Sequence, residues 1–262
     1  MFSTQYDSNN KKFSLLMTLQ AKGKKNLRVW AEDLGKKNSK YVDRLVVVDG
    51  SRSIYFSFPV SPKQLRICVV NTENVNDKDI QVTFLETKLR DYNIWIDEDT
   101  TDFLKLAMPF SQVCGFESAT PNGRIYANEN QKFQIKYMDV IRDVATGQIM
   151  KTPARIGHKS GRIEVAKVAF DKYTIPMRMA ILLHEFSHVF KNPKTNLEIS
   201  NEVGADINAL YIYLGLGFSK IDAITVYANV FLKAQTKGNV ERMRKIMDYI
   251  NKFEQEDFAY KK

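Results

Sequence analysis

Two of the chain's three histidines stand four residues apart, in His184-Glu185-Phe186-Ser187-His188. On a helix that spacing puts both imidazoles on one face, about one turn apart, where they can share a small cation. Glu185 lies next to the first histidine, so it can reach a water on that cation without being one of its ligands. Two imidazoles and a neighbouring carboxylate in this order are the parts needed for metal-assisted hydrolysis of a peptide bond.

That chemistry requires the stretch to be helical, and its flanks agree. Thr174 can cap the N-terminus, and Pro176 falls in the first turn, where a missing N–H costs nothing. Met177 to Phe190 contains no Gly and no Pro. Its apolar residues (Met177, Met179, Ala180, Ile181, Leu182, Leu183, Phe186, Val189 and Phe190) cover most of the circumference, which predicts a helix buried nearly all round. Lys191-Asn192-Pro193 then stops it. Buried polar side chains need partners, because each one left unpaired costs roughly 1–3 kcal/mol. A metal would satisfy both histidines and the glutamate together.

After a polar break at Lys191 to Thr195, a second helix is expected from about Leu197 to Leu214. It carries Asn201-Glu202-Val203-Gly204-Ala205-Asp206, with Glu202 and Asp206 on one face. An HExxH motif followed one loop later by a helical ExxxD pair resembles the gluzincin metallopeptidases. The resemblance implies a zinc cofactor with His184, His188 and Glu202 as ligands, and Asp206 hydrogen-bonded to His184 from behind. Glu185 would be the catalytic general base. Three protein ligands and an open position suit a catalytic zinc, and a ligating imidazole wants its other N–H held. The metzincin pattern, HExxHxxGxxH, fails here: Lys191 stands in place of its Gly and Lys194 in place of its third His. Gly204 interrupts the second helix at a propensity cost of about 1 kcal/mol, and would allow a close approach to the first.

Zincins, to which gluzincins belong, carry a small sheet ahead of the metal helix, with an edge strand lining the cleft. Phe133 to Ile141 reads as one strand, and Arg162 to Phe170, after the Gly161 turn, as the edge strand that would hold substrate by β-augmentation. Thr101 to Val113 reads as a helix packed on that sheet. Gly215 and Gly217 close the glutamate helix, and two later helices around Ile221–Phe231 and Val240–Ile250 would support the catalytic half. An oxyanion-stabilising group is also needed. His158, Tyr173, Tyr211 and Tyr213 are available for it, and no spacing rule selects among them.

Upstream the period changes from helical to two. Phe13, Leu15, Met17 and Leu19 alternate with more polar residues, as do Leu65, Ile67 and Val69, and Ile80, Val82 and Phe84. Tyr41–Val48 and Ser53–Phe58 flank Asp49-Gly50, a hairpin signal. Six or seven short strands predict an all-β, sandwich-like interaction domain over 1–97. The acidic cluster from Asp97 to Asp102 marks the boundary, giving an α+β chain whose 98–262 part is the metallopeptidase domain.

Composition bounds the setting. The 262 residues are 44% hydrophobic and 26% charged, ordinary values for a globular protein. Cys68 and Cys114 are too few and too far apart for a disulfide framework. The N-terminus has no signal-peptide pattern, so synthesis in the cytoplasm is expected, and no apolar run is long enough to span a membrane. Net charge is +9, with lysine clusters at Lys11-Lys12, Lys22 to Lys25, Lys36 to Lys40 and Lys261-Lys262. Nucleic-acid contact is open to such a surface, but no motif supports it. The stretch from Ala154-Arg155-Ile156-Gly157 through Met177 to Glu185 is similar to zincin-domain proteins of crAss-like tailed phages of gut bacteria, whose genes lie among the structural genes. That resemblance implies a homo-oligomeric virion protein, such as a ring or adaptor near portal or tail. Its partners would be phage structural proteins, where the peptidase reading implies a polypeptide substrate.

Overall fold

The computed structural model describes residues 1–76, 78–90, 92–157, 159–190, 192–193, 195, 202–231 and 236–255. The chain is of mixed α+β class and divides into two compact units, Met1–Arg90 with Gly217–Ser219, and Asp91–Leu216 with Lys220–Lys262.

The first unit is all-β. Strands β1 (Phe2–Tyr6), β2 (Phe13–Asp33), β3 (Lys40–Phe58), β4 (Leu65–Asn71) and β5 (Ile80–Thr87) form one antiparallel sheet. The long β2 and β3 pair from Phe13↔Phe58 to Glu32↔Lys40; β5 joins the first half of β2, β4 the second, and β1 lies outside β4. The inward face alternates as read: Phe13, Leu15, Met17, Leu19, Leu27, Val29 and Ala31 are all buried. The expected hairpin at Asp49-Gly50 is not there. β3 runs straight through it, and the chain reverses at Leu34–Ser39 instead. Gly50 (φ 72°) lies opposite Ala21, next to a register shift that spans Gly23 (φ 73°). The two glycines absorb a bulge that bends both strands together, because β2 offers β3 a partner along its whole length. Among the described residues five strands, two of them very long, therefore replace the six or seven short ones expected.

In the second unit Asp97 caps helix α1 (Glu98–Val113), its side chain accepting the Thr100 N–H at 2.7 Å. A four-stranded sheet follows in the order β6 (Arg124–Ala127), β7 (Gln134–Met138), β9 (Ile163–Ala166), β8 (Ala154–Ile156). Among the strand pairs of the described residues, β7–β9 is parallel and the others are antiparallel. Here the reading of Arg162–Phe170 as an edge strand is corrected. Strand β9 is interior, bonded to β7 on one side and β8 on the other, and the chain turns into the short helix α2 (Lys167–Phe170) where the strand was expected to continue. Strand β8 takes the outer place. Its three residues are too few to show an alternation, and the tight turn back to β9, closed by Gly161 N–H to Gly157 O at 2.7 Å, brings it alongside.

Helices α3 (Ile175–Ser187), α4 (Glu202–Gly215), α5 (Lys220–Val226) and α6 (Lys237–Gln255) complete the unit, with a π-helical turn at Tyr227–Phe231 between the last two. Helix α3 packs against α1, α4, α5, β8 and β9, which accounts for its burial on nearly every side. Leu197 to Asn201, the expected start of the glutamate helix, and His158 lie outside the described residues. Cys68 and Cys114 are free thiols, both buried. Among the described residues no helix is long and apolar enough to cross a membrane.

Candidate metal centre

The metal-ligand spacing survives in three dimensions because α3 is held at both ends. Thr174 accepts the Met177 N–H at 3.4 Å, and His188 is the C-cap with helical dihedrals (φ −71°, ψ −23°). Phe186, between the histidines in sequence, points the other way and stacks on Phe103 of α1 with ring centroids 4.2 Å apart. Phe133 meets the same ring edge-on. That aromatic anchor turns His184 and His188 toward α4.

The two imidazoles converge through their Nε2 atoms, 3.1 Å apart, with the rings nearly perpendicular at 84°. Helix α4 brings Glu202 over them. Its Oε2 is 3.5 Å from His184 Nε2, and its Oε1 is 3.6 Å from His188 Nε2. Donors about 2.0–2.1 Å from a tetrahedral cation stand about 3.3 Å from one another. The imidazole pair at 3.1 Å, and the nearer carboxylate oxygen of each imidazole at 3.5 and 3.6 Å, lie close to that edge, so the group can close on one small cation. His184, His188 and Glu202 are thus a group able to hold a metal ion.

Asp206, one turn along α4 and fully buried, backs the site. Its Oδ1 lies 2.9 Å from His184 Nδ1, although the ring N–H is not aimed well enough for a directed hydrogen bond. Glu185 is buried beside the first histidine, near enough for its charge to favour the imidazolium. Burial alone would drive His184 toward neutrality. Asp206 and Glu202 overcome it and raise the imidazole to about 9 in the ion-free chain. Glu202 is correspondingly lowered to about 2, first by its bond to His184 and then, against its own burial, by the charges of His184, Arg242 and His188. A cation bound to the three donors would take the place of that proton.

Arg242 was missed in the sequence. It comes from α6, forms a bidentate pair with Asp206 (Nη2–Oδ1 2.7 Å), and its Nη2 also reaches Glu202 Oε2 at 3.0 Å. The available signal was its spacing: four residues before Ile246 and eight before Ile250, it lies on the buried stripe of an otherwise charged helix. The π-helical turn adds two contacts. Tyr227 donates to the Asp206 backbone carbonyl at 3.2 Å, and the Phe231 ring lies 4.3 Å from that of His184. Of the oxyanion candidates, Tyr211 accepts the Trp95 N–H at 2.8 Å and Tyr213 is buried, both within α4, while Tyr173 follows α2.

Compared with known proteins, the chain matches no family model, no curated protein and no solved structure.

Proposed function

We propose that this chain is a zinc-dependent peptide hydrolase of the gluzincin type, with a zincin-like second unit. The observation that carries the reading is the convergence of two imidazole Nε2 atoms, 3.1 Å apart, with the Glu202 carboxylate, one oxygen 3.5 Å from His184 and the other 3.6 Å from His188, drawn from two separate helices and backed by a buried carboxylate. The order of elements supports it: a helix, a small sheet with an antiparallel edge strand, the HExxH helix and the glutamate helix. The edge strand beside α3 is β8, and an extended peptide would add to its free side.

His184, His188 and Glu202 would hold the zinc, which supplies a Lewis acid and lowers the pKa of water to about 7. The Asp206 carboxylate, 2.9 Å from His184 Nδ1, would hold the ring in orientation once its N–H turns onto that oxygen. Glu185 takes a proton from the attacking water on its carboxylate and returns it to the leaving amine nitrogen. Its buried setting keeps that carboxylate out of bulk solvent.

Metal analysis combined with a casein-cleavage assay tests the proposal. The expected result is about one zinc per chain and a Glu185→Gln variant that keeps its zinc but loses roughly 10²–10⁴-fold in cleavage rate. Wild-type protein that takes up no zinc, or cleavage indifferent to Glu185, would overturn it.

A second reading is a structural ring or adaptor of a tailed phage, with the metal holding the fold. It draws on the outer face of the first unit, where Leu45 and Tyr55 of β3 are 76% and 60% exposed and Leu85 of β5 is 59% exposed. Apolar surface of this kind serves subunit contacts. Zinc without Glu185-dependent cleavage, together with a closed ring by mass photometry, would favour that reading over the first.

A further inference from the structure

Arg242 is turned inward while its neighbours Glu241, Arg244 and Lys245 are exposed. It faces two carboxylates of unequal freedom. Asp206 is fully buried, whereas the Glu202 side chain is 57% exposed and can swing into water. The two acids sit four residues apart on α4, where like charges repel. A guanidinium can answer both, because its planar fork binds one carboxylate with two N–H groups and keeps a donor for a second. That is the arrangement found: both oxygens of Asp206 are engaged, and Nη2 lies 3.0 Å from Glu202 Oε2.

We propose that Arg242 is a positioning residue for the metal centre: it neutralises Asp206 and tethers Glu202, so that the three donors stand assembled before any ion arrives. The inference rests on the metal reading of the site. Remove the fork and Glu202, repelled by Asp206 and already half in solvent, turns outward. An effect of opposite sign competes with this one. A cation beside a metal site repels the ion, so loss of Arg242 would tighten binding if the ligands stayed in place. Preassembly outweighs repulsion here because the ligand in question is the exposed one: its other contacts are the imidazoles of His184 and His188 at 3.5 and 3.6 Å, and the former loses its hold on the carboxylate when the ion displaces its proton.

Zinc affinity measured by competition with a chromophoric chelator decides between the two, for wild type, Arg242→Gln and Arg242→Lys. Circular dichroism and the melting temperature of each ion-free variant report whether it folds. The expected result is binding about 10–100-fold weaker in the Gln variant, the range seen when a group holding a metal ligand is lost. The Lys variant keeps the charge but not the fork, and is expected to stay about tenfold weaker than wild type. Unchanged or tighter binding in a folded Gln variant overturns the proposal. If the Gln variant does not fold, the Lys variant carries the same test, and wild-type affinity there overturns it. Wild-type chain that takes no zinc would remove the metal reading and this inference together, whereas zinc-binding wild type with unaffected variants removes this inference alone.

Discussion

His184 has a carboxylate at each ring nitrogen, Glu202 toward Nε2 and Asp206 toward Nδ1, and that placement makes the candidate metal centre a proton site as well. Without an ion its pKa is raised to about 9, above the ordinary value of 6.5, so the folded chain binds the proton more tightly than the unfolded one. Its contribution to stability is complete below pH 6.5 and is lost as pH rises through about 9. The His184–Glu202 part of the lowering of Glu202 is the same interaction seen from its other partner and counts once; Arg242 and His188 add to it. Chelator-treated protein is therefore expected to melt at progressively lower temperature from pH 6.5 to 9. Zinc bound as proposed would have to displace that proton, so its apparent affinity should rise over the same window, by up to about tenfold per pH unit. Both trends are read by differential scanning fluorimetry with and without zinc. A flat ion-free profile would show that His184 is not protonated between its two acids. Of the candidate ligands, the two histidines were legible in the sequence because i,i+4 spacing on a helix is a short-range rule, and Glu202 through the resemblance its ExxxD pair carries. Arg242 was not, since 36 residues separate it from Asp206 and only the packing of α6 on α4 brings the two together.

Among the elements, the helices were read more faithfully than the strands. Helix α3 has its cap at Thr174, its proline in the first turn and an apolar surface all round, each a local signal that nothing distant contradicts. Strand β3 carries an equally local signal, Asp49-Gly50, and there the distant partner prevailed: β2 runs alongside, so the glycine bends the strand without reversing it. Strand β8 failed for a third reason. Three residues hold too little pattern, and which of β8 and β9 becomes the sheet edge is settled by pairing with β7. Helix α4 offers a test at this scale. A Cβ on Gly215 would overlap the Ile94 side chain at Cδ1 and Cγ2, well inside van der Waals contact. Alanine gains about 1 kcal/mol in helix propensity over glycine, but overpacking costs about 1–3 kcal/mol. Gly215→Ala is accordingly expected to lower stability in urea unfolding, and Ile94→Ala in the same chain to recover part of the loss. A stabilised Gly215→Ala would mean that Ile94 yields its place freely.

At the scale of the whole molecule, the chain holds two cores of different kinds. One is built from the alternating residues of β2 with Phe56, Phe58, Ile67 and Val69; the other lies around α3 and α4. The residues that would bind metal all belong to the second unit. An ion that binds only the folded form stabilises it by RT ln(1 + [L]/Kd), about 4 kcal/mol at a thousandfold excess over Kd. For a domain of this size that raises the melting temperature by about ten degrees. If the units unfold separately, the gain falls on one of them. Calorimetry of the full chain is then expected to show two transitions in chelator, with zinc moving one upward and leaving the other in place. A Glu202→Gln variant should lose most of that movement while keeping the unmoved transition as a control within the same sample. A single transition, or two that shift in parallel, would show that the all-β unit and the helical unit melt as one cooperative block. The ion would then stabilise the strands of β2 and β3 as much as the helices that hold it.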